Sequence, residues 1–213
     1  MEMFGSVIKE QYKTSSRKIV SVAIMPCTAK KFEAARPEFK WNENQQVIDY
    51  VITTQELIQM IKEAGIVFSE IEPESIDMPF GSISGAGVIF GVTGGVTEAV
   101  IRRVSSDKSL SALRTLAFNG VRGLEGTKEI TIEYCGKPLR IGVVSGLKNA
   151  DKLIRSIKNG EHFDLVEVMA CPNGCINGAG QPFTDRMVLK IEAMPCMKQI
   201  ECVLIREVKK ILL

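Results

Sequence analysis

The sequence predicts an α/β fold with sheets flanked by helices, and three observations predict it. "KIVSVAIMP" (18–26) is dense in Val and Ile, the composition of a buried strand, and "FDLVEVMA" (163–170) reads as another strand. "VIDYVITT" (47–54) has the same character and runs straight into a helix-start signature. Strands that alternate with helices argue a sheet with helices packed on it.

The elements follow in order. Residues 18–26 form a strand that stops at Pro26, with Cys27 just beyond. Residues 47–54 form a second. Thr53 and Glu56 fit a capping box, a hydroxyl and a carboxylate that satisfy amides left open at a helix start. Leu57, Ile58, Ile61 and Ala64 then share one helical face, and Gly65 suits the stop. An acidic loop containing proline (70–79) follows. The glycines of "SGAGVIFGVTGGVTEAVIRRV" (84–104) match neither GxGxxG nor GxxxxGK[ST], so the stretch is not read as a phosphate-binding turn. Glycine here lets backbone approach a ligand or another element closely. "TIEYCGKPLRIGVVSG" (131–146) reads as strand, turn, strand. "NADKLIRSIKNG" (149–160) reads as a short amphipathic helix capped by Asn149 and stopped by Gly160, and residues 163–170 as a further strand with Cys171 at its end.

Length and composition narrow the function. The chain has 213 residues, enough for one sizeable domain or two small lobes, with 45% hydrophobic and 24% charged residues. A net charge of +2 without a basic block excludes an electrostatic nucleic-acid surface. Apolar runs stay far below the roughly 20 residues of a membrane span. "MEMFGSVIKEQYK" has no basic region followed by an apolar core, so it is not read as a signal peptide, and the sequence predicts a cytoplasmic protein.

Six cysteines remain: Cys27, Cys135, Cys171, Cys175, Cys196 and Cys202. In a cytoplasmic chain a disulfide framework is not the expected use of them. His162 is the single histidine and reads as a surface loop residue, so no multi-histidine site is available. "CPNGC" sets two thiols four positions apart on a turn, followed by the small residues Asn177, Gly178, Ala179 and Gly180, whose amides can face sulfide or another anion. Zinc sites more often use CxxC pairs, and a redox CxxC is absent. Cys27 adds a third thiolate if the two strand ends meet. Soft thiolates in threes and fours suit an iron–sulfur cluster; buried structural cysteines are the other reading.

"MPCTAKKFEAARPEF" (25–39) resembles the second signature of the iron-only, or FeFe, hydrogenases, and "EVMACPNGCINGAGQP" (167–182) resembles their third. "MPFGSISGAGVIFGVTGGVTEA" and "VRGLEGTKE" are similar to the stretches between them, in one collinear order covering roughly residues 3 to 182. The resemblance implies a two-lobed catalytic domain of the hydrogenase large subunit with the cluster site between the lobes. It implies an H-cluster, a 4Fe-4S cubane joined through one cysteine sulfur to a diiron subcluster carrying carbon monoxide, cyanide and a dithiolate, and the reversible reduction of protons to dihydrogen. Cys27 and Cys171 match cubane ligands, and Cys175 matches the bridging cysteine. Lys30 matches the lysine that donates to a cyanide ligand. Met25 and Met169 match methionines packed on the diiron unit, and Phe90 and Gly91 fall in the stretch lining the same pocket. Glu33 either anchors this segment or is a surface helix residue. The three sulfurs and Lys30 are therefore expected to face one cavity.

Three departures qualify the resemblance. The family's first signature, Thr-Ser-Cys-Cys-Pro, would precede "MEMFG" and is not in this sequence, which leaves the fourth cubane ligand and a proton-relay cysteine missing from this chain. The expectation is a chain that makes little or no hydrogen alone, with a partner chain as one source of the missing segment. The resemblance also implies an electron carrier such as ferredoxin or a redox subunit as partner. Asn173, Asn177 and Ala179 stand where the family often has glycine. Finally, residues 183–213 form a divergent tail. With freely chosen codons another frame of it gives Asn-Ala-Leu-Tyr-Glu-Ala and Ser-Gln-Glu-Asn-Pro, which is what a shifted reading frame would produce. The alternatives to a hydrogenase are a non-catalytic iron–sulfur protein resembling nuclear prelamin A recognition factor, and an inactive fragment or half of a split enzyme.

Overall fold

The structure is a computed structural model that describes residues 1–75, 77, 80, 87–104, 122, 126–134 and 137–182. The expected tail at 183–213 lies outside the described residues, as do Cys135, Cys196 and Cys202. The described chain falls into two compact units, one of Met1–Ile71 together with residues 178–182, the other of Glu72–Asn177. No helix among the described residues is long and apolar enough to cross a membrane.

The first unit is built on a parallel pair, β1 (Val22–Met25) and β4 (Tyr50–Thr53), in the register Val22↔Tyr50 to Met25↔Thr53. Between them lie α2 (Ala29–Ala34) and a short antiparallel pair, β2 (Lys40–Asn42) and β3 (Gln45–Gln46). Both strands of the parallel pair are shorter than the sequence predicts. The Ser21 amide donates to Asp49 Oδ2 at 2.7 Å, and the Ser21 carbonyl accepts from the Asp49 and Tyr50 amides at 3.0 and 3.1 Å, so the ladder begins only at Val22. Val47 and Ile48 precede β4 and pack with Ala23 and Ala34 as the core. Helix α3 (Thr54–Glu63) starts at the expected capping box: Thr53 Oγ1 accepts from the Glu56 amide, and Glu56 Oε2 accepts from the Thr53 amide at 2.7 Å. Gly65, at φ +67, ends it.

The sequence reading gives no element to Glu2–Gln11, which forms helix α1. The reason is that its buried positions are Glu2, Gly5 and Lys9 while Met3, Phe4 and Val7 are exposed, so polarity hides the helical period. Gly5 is needed there because a Cβ would lie 2.6 Å from Ile48 Cδ1. Lys9 has a partner: its Nζ donates to Asp49 Oδ2 at 2.6 Å and to the Ile19 carbonyl at 3.0 Å. Both Glu2 carboxylate oxygens are buried without a hydrogen-bond partner among the described residues. Burial, and secondarily Glu33, push the Glu2 carboxyl above its usual 4.5. A carboxyl that holds its proton more tightly folded than unfolded costs stability once pH exceeds the unfolded value. Glu2→Leu should therefore raise stability by about 1–3 kcal/mol at pH 7. The gain should shrink as pH falls toward 4.5 and be absent below it. Urea titrations across pH check this; a gain that does not depend on pH would count against it.

The second unit centres on a mixed three-stranded sheet in the order β5-β6-β7: β5 (Thr127–Tyr134) antiparallel to β6 (Lys137–Ser145), and β6 parallel to β7 (Leu165–Met169). Helix α4 (Gly95–Val104) covers one face, where Ile101 meets Ile141, Val143 and Leu165. Helix α5 (Leu147–Lys158) covers the other, where Ala150 and Leu153 meet Val144, Phe163 and Val166. Helices on both faces of a partly parallel sheet are the α/β arrangement expected. Three boundaries differ, β7 beginning at Leu165 rather than at 163. The first strand begins at Thr127, earlier than expected. Helix α5 begins two residues before Asn149, because Gly146 at φ +84 makes the turn, and Asn149 instead donates from Nδ2 to the Ser145 carbonyl at 2.8 Å. Gly160 closes the helix as expected, at φ +102. His162 is 81% exposed, in the surface loop.

Candidate functional site

In the first unit β1 delivers Met25 and Cys27 to the start of α2. Met25 is half-buried against the core, and the Cys27 thiol is half-buried and not in a disulfide. The 178–182 segment lies against this turn. The Gly180 amide donates to the Pro26 carbonyl at 2.9 Å, and the Gly180 carbonyl accepts from the Gln55 amide at 3.1 Å. A Cβ on Gly180 would sit 2.9 Å from Thr53 Cγ2 and 3.0 Å from the Cys27 nitrogen, so glycine permits this approach. One turn into α2, Lys30 pairs with Glu33, both about one-third exposed. Glu33 thus pairs with Lys30 within the same helix.

In the second unit Met169 ends β7 half-buried, and its carbonyl accepts from the Gly146 amide at 2.8 Å. Cys171 and Cys175 follow on a turn whose chemistry the sequence spells out. The Gly174 amide donates to the Cys171 carbonyl at 3.1 Å across Pro172 and Asn173. Asn173 stands at φ +71, so the turn is type II, with proline and asparagine in the two central places that favour them. Gly174 continues at φ +93. Asn177 Nδ2 closes the loop onto the Pro172 carbonyl at 3.1 Å. Both thiols are half-buried and neither is in a disulfide.

This loop rests on the backbone of the 88–95 stretch. A Cβ on Gly174 would lie 2.8 Å from the Thr93 nitrogen and 2.9 Å from the Gly91 oxygen. Gly91 itself faces Ile176, with 3.2 Å from its would-be Cβ to Ile176 Cγ2. Gly91 therefore does place backbone against the cysteine loop. Phe90 is 46% exposed, while its neighbour Ile89 is buried.

Sequence reasoning missed Glu167. Its Oε1 accepts from the Gly94 amide, and its Oε2 accepts from the Thr97 amide and hydroxyl, all at 2.7 Å. The signal was available: a carboxylate interrupts "LVEVM" on the face that Leu165 gives to the core.

The donor set is made of soft thiolates at strand ends, beside backbone kept close by glycine. That set fits an iron–sulfur cluster better than a hard cation. Among the described residues no three His, Cys, Asp or Glu form a group that could hold a metal ion. Cys171 and Cys175 share one turn, and Cys27 belongs to the first unit.

Comparison with known proteins places these features in a family. Residues 1–179 match the family described as iron only hydrogenase large subunit, C-terminal domain. The NADP-reducing hydrogenase subunit HndD of Solidesulfovibrio fructosivorans is 44% identical over 186 residues, 85% of this chain and 32% of that protein. The cytosolic Fe-S cluster assembly factor narfl of Xenopus tropicalis is 32% identical over 191 residues, 84% of this chain and 40% of that protein. A solved FeFe-hydrogenase structure, HydA(deltaEFG), superposes with a TM-score of 0.67 at 30% identity, covering 93% of this chain and 58% of that one. The chain thus spans about a third to two-fifths of these curated relatives.

Proposed function

The chain belongs to the iron-only hydrogenase large-subunit family, in its C-terminal domain, and on that premise we propose that it forms part of a catalytic domain for the reversible reduction of protons to dihydrogen. When bound, the H-cluster supplies the iron at which protons and electrons combine. The observation that carries the reading is the pair of half-buried thiols on the 171–175 turn, with glycine backbone packed behind them.

Cys27 and Cys171 would hold a 4Fe-4S cubane, and Cys175 would hold it and bridge to the diiron subcluster. Three thiolates leave one cubane iron to a ligand from another segment or chain. Lys30, oriented by Glu33, would donate a hydrogen bond to an anionic ligand on iron, a charge-assisted contact of the stronger kind. Met25, Met169, Phe90 and Gly91 would line the diiron side with apolar and backbone atoms and exclude water. A ferredoxin-like carrier or redox subunit would supply electrons, in the cytoplasm. Residues 1–182 are the hydrogenase-like part, and 183–213 are a divergent tail.

Anaerobic reconstitution with ferrous iron and sulfide tests the cluster. The wild-type chain should retain iron and acid-labile sulfide. Cys27→Ser, Cys171→Ser and Cys175→Ser should each weaken retention by roughly 10–100-fold. Equal iron in the wild type and the triple serine variant would sink the reading. The assembly-factor relative supports a second reading, a cubane protein without the diiron unit. Infrared bands of carbon monoxide and cyanide after loading of the diiron unit separate the two. Their absence from a chain that keeps its cubane would favour the second.

A further inference from the structure

We propose that Glu167 is a positioning residue for the cysteine-bearing turn, holding the spacing of Cys171 and Cys175 by locking β7 to the 91–97 backbone. The proposal rests on the cluster reading above for its consequence, and on geometry for the lock itself.

Strand β7 alternates faces, and Leu165 places its face against Ile101 of α4, with Ile141 and Val143 of β6. Glu167 lies on that same face, where an apolar side chain would serve packing better. Both its oxygens are used. They take the Gly94 amide, the Thr97 amide and the Thr97 hydroxyl, each at 2.7 Å. These donors lie at the amino terminus of α4, where amides lack helical partners and the helix dipole favours an anion. Alone this is a helix cap supplied from a neighbouring strand.

The surrounding contacts give it a second consequence. Four residues beyond Glu167 the chain reaches Cys171, turns, and comes back at Gly174 onto the Gly91 oxygen and the Thr93 nitrogen. The turn therefore has two footings: β7, from which it leaves, and the 91–93 backbone, on which it lands. Glu167 ties the first footing to the residues directly after the second. One carboxylate sets the separation of both ends of the loop that carries the thiols. The Gly146 amide on the Met169 carbonyl at 2.8 Å continues the β6–β7 pairing to the end of the strand.

Glu167→Gln keeps the volume but turns an amide NH2 toward one of the backbone donors. Thr97→Val keeps the shape and removes a single bond. Each variant is prepared as the full chain, reconstituted anaerobically with ferrous iron and sulfide, and compared with the wild type by electron paramagnetic resonance of the reduced cluster and by iron release to a chelator. Glu167→Gln should shift the g values and speed release about 10-fold, with Thr97→Val changing both in the same direction but less. Unchanged g values and release rates in a folded Glu167→Gln protein would overturn the proposal and leave Glu167 a helix cap only. Hydrogen exchange of the apo chain decides the lock independently. The 171–177 amides should exchange about tenfold faster in Glu167→Gln while those of β5 and β6 stay unchanged. Faster exchange confined to the first turn of α4 would overturn it. If wild type takes up no iron, the cluster reading fails, and the exchange result still decides whether the lock exists.

Discussion

Gly174→Ala should abolish stable iron–sulfur binding and cost the second unit roughly 2–6 kcal/mol. Two independent strains add. The backbone stands at φ +93, where a side chain is disfavoured whatever the space around it. The space is also absent, because the new Cβ would meet the Thr93 nitrogen at 2.8 Å, the Gly91 oxygen at 2.9 Å and the Val92 carbonyl carbon at 3.0 Å. All three are main-chain atoms, so no side-chain rotamer change relieves the overlap. The loop must lift off the 91–93 backbone, and that moves Cys175, the next residue. Gly65→Ala is the matched control: it also has positive φ, at +67, but nothing lies within 4 Å of the added carbon. It should cost only about 1 kcal/mol and leave iron binding intact. Urea unfolding together with iron and sulfide counts on both variants checks this. Equal losses in the two would show that the close packing behind Gly174 contributes nothing.

What the sequence made legible depended on whether a residue's local pattern and its tertiary use agreed. Thr53 and Glu56 were readable because a capping box is complete within four residues. Pro172 and Gly174 were readable because turn chemistry is equally local. The α/β order was readable because β1, β4 and β7 are apolar runs at the right intervals. Helix α1 was not, since Glu2, Gly5 and Lys9 face the core and the usual polarity is inverted. The burial of Gly5 and Lys9 is explained by Ile48, Val47 and Asp49, some 40 residues away. The starts of β1 and α5 were also misplaced, the first for the same reason and the second because Asn149 was read as the cap where Gly146 makes the turn. A carboxylate at Asp49 stops one, and the positive φ of Gly146 starts the other. Of the candidate site, the thiols and Lys30 were nominated through motif and resemblance. Glu167 escaped because its partners, Gly94 and Thr97, are about 70 residues distant and two of its three bonds are to main chain.

Asp49→Ala should destabilise the first unit by about 3–5 kcal/mol, a large share of a small unit's stability. The Lys9 side chain is 3% exposed, and its ammonium has Asp49 at 2.6 Å. Removing that carboxylate leaves a buried cation with the Ile19 carbonyl, at 3.0 Å, as its remaining acceptor among the described residues. The same oxygen accepts from the Ser21 amide at 2.7 Å, so β1 loses the bond that fixes where its ladder begins. Each strand that leads to a cysteine is thus held by a carboxylate from elsewhere in its own unit or of its own: Asp49 for β1, Glu167 for β7. The double variant Lys9→Met with Asp49→Ala should recover most of the cost, because the expense lies in the unpaired charge rather than in the loss of the pair. The effect should also be local. Under native conditions iodoacetamide should label Cys27 more than 10-fold faster in Asp49→Ala, since opening of this unit rises with its lost stability, while Cys171 labels at the wild-type rate. Urea unfolding and site-resolved labelling by mass spectrometry measure both. A cost below about 1 kcal/mol would place the pair among solvated ion pairs of little consequence. Equal acceleration at Cys27 and Cys171 would mean that the two units open together, and that Asp49 supports the whole chain rather than the frame of Cys27.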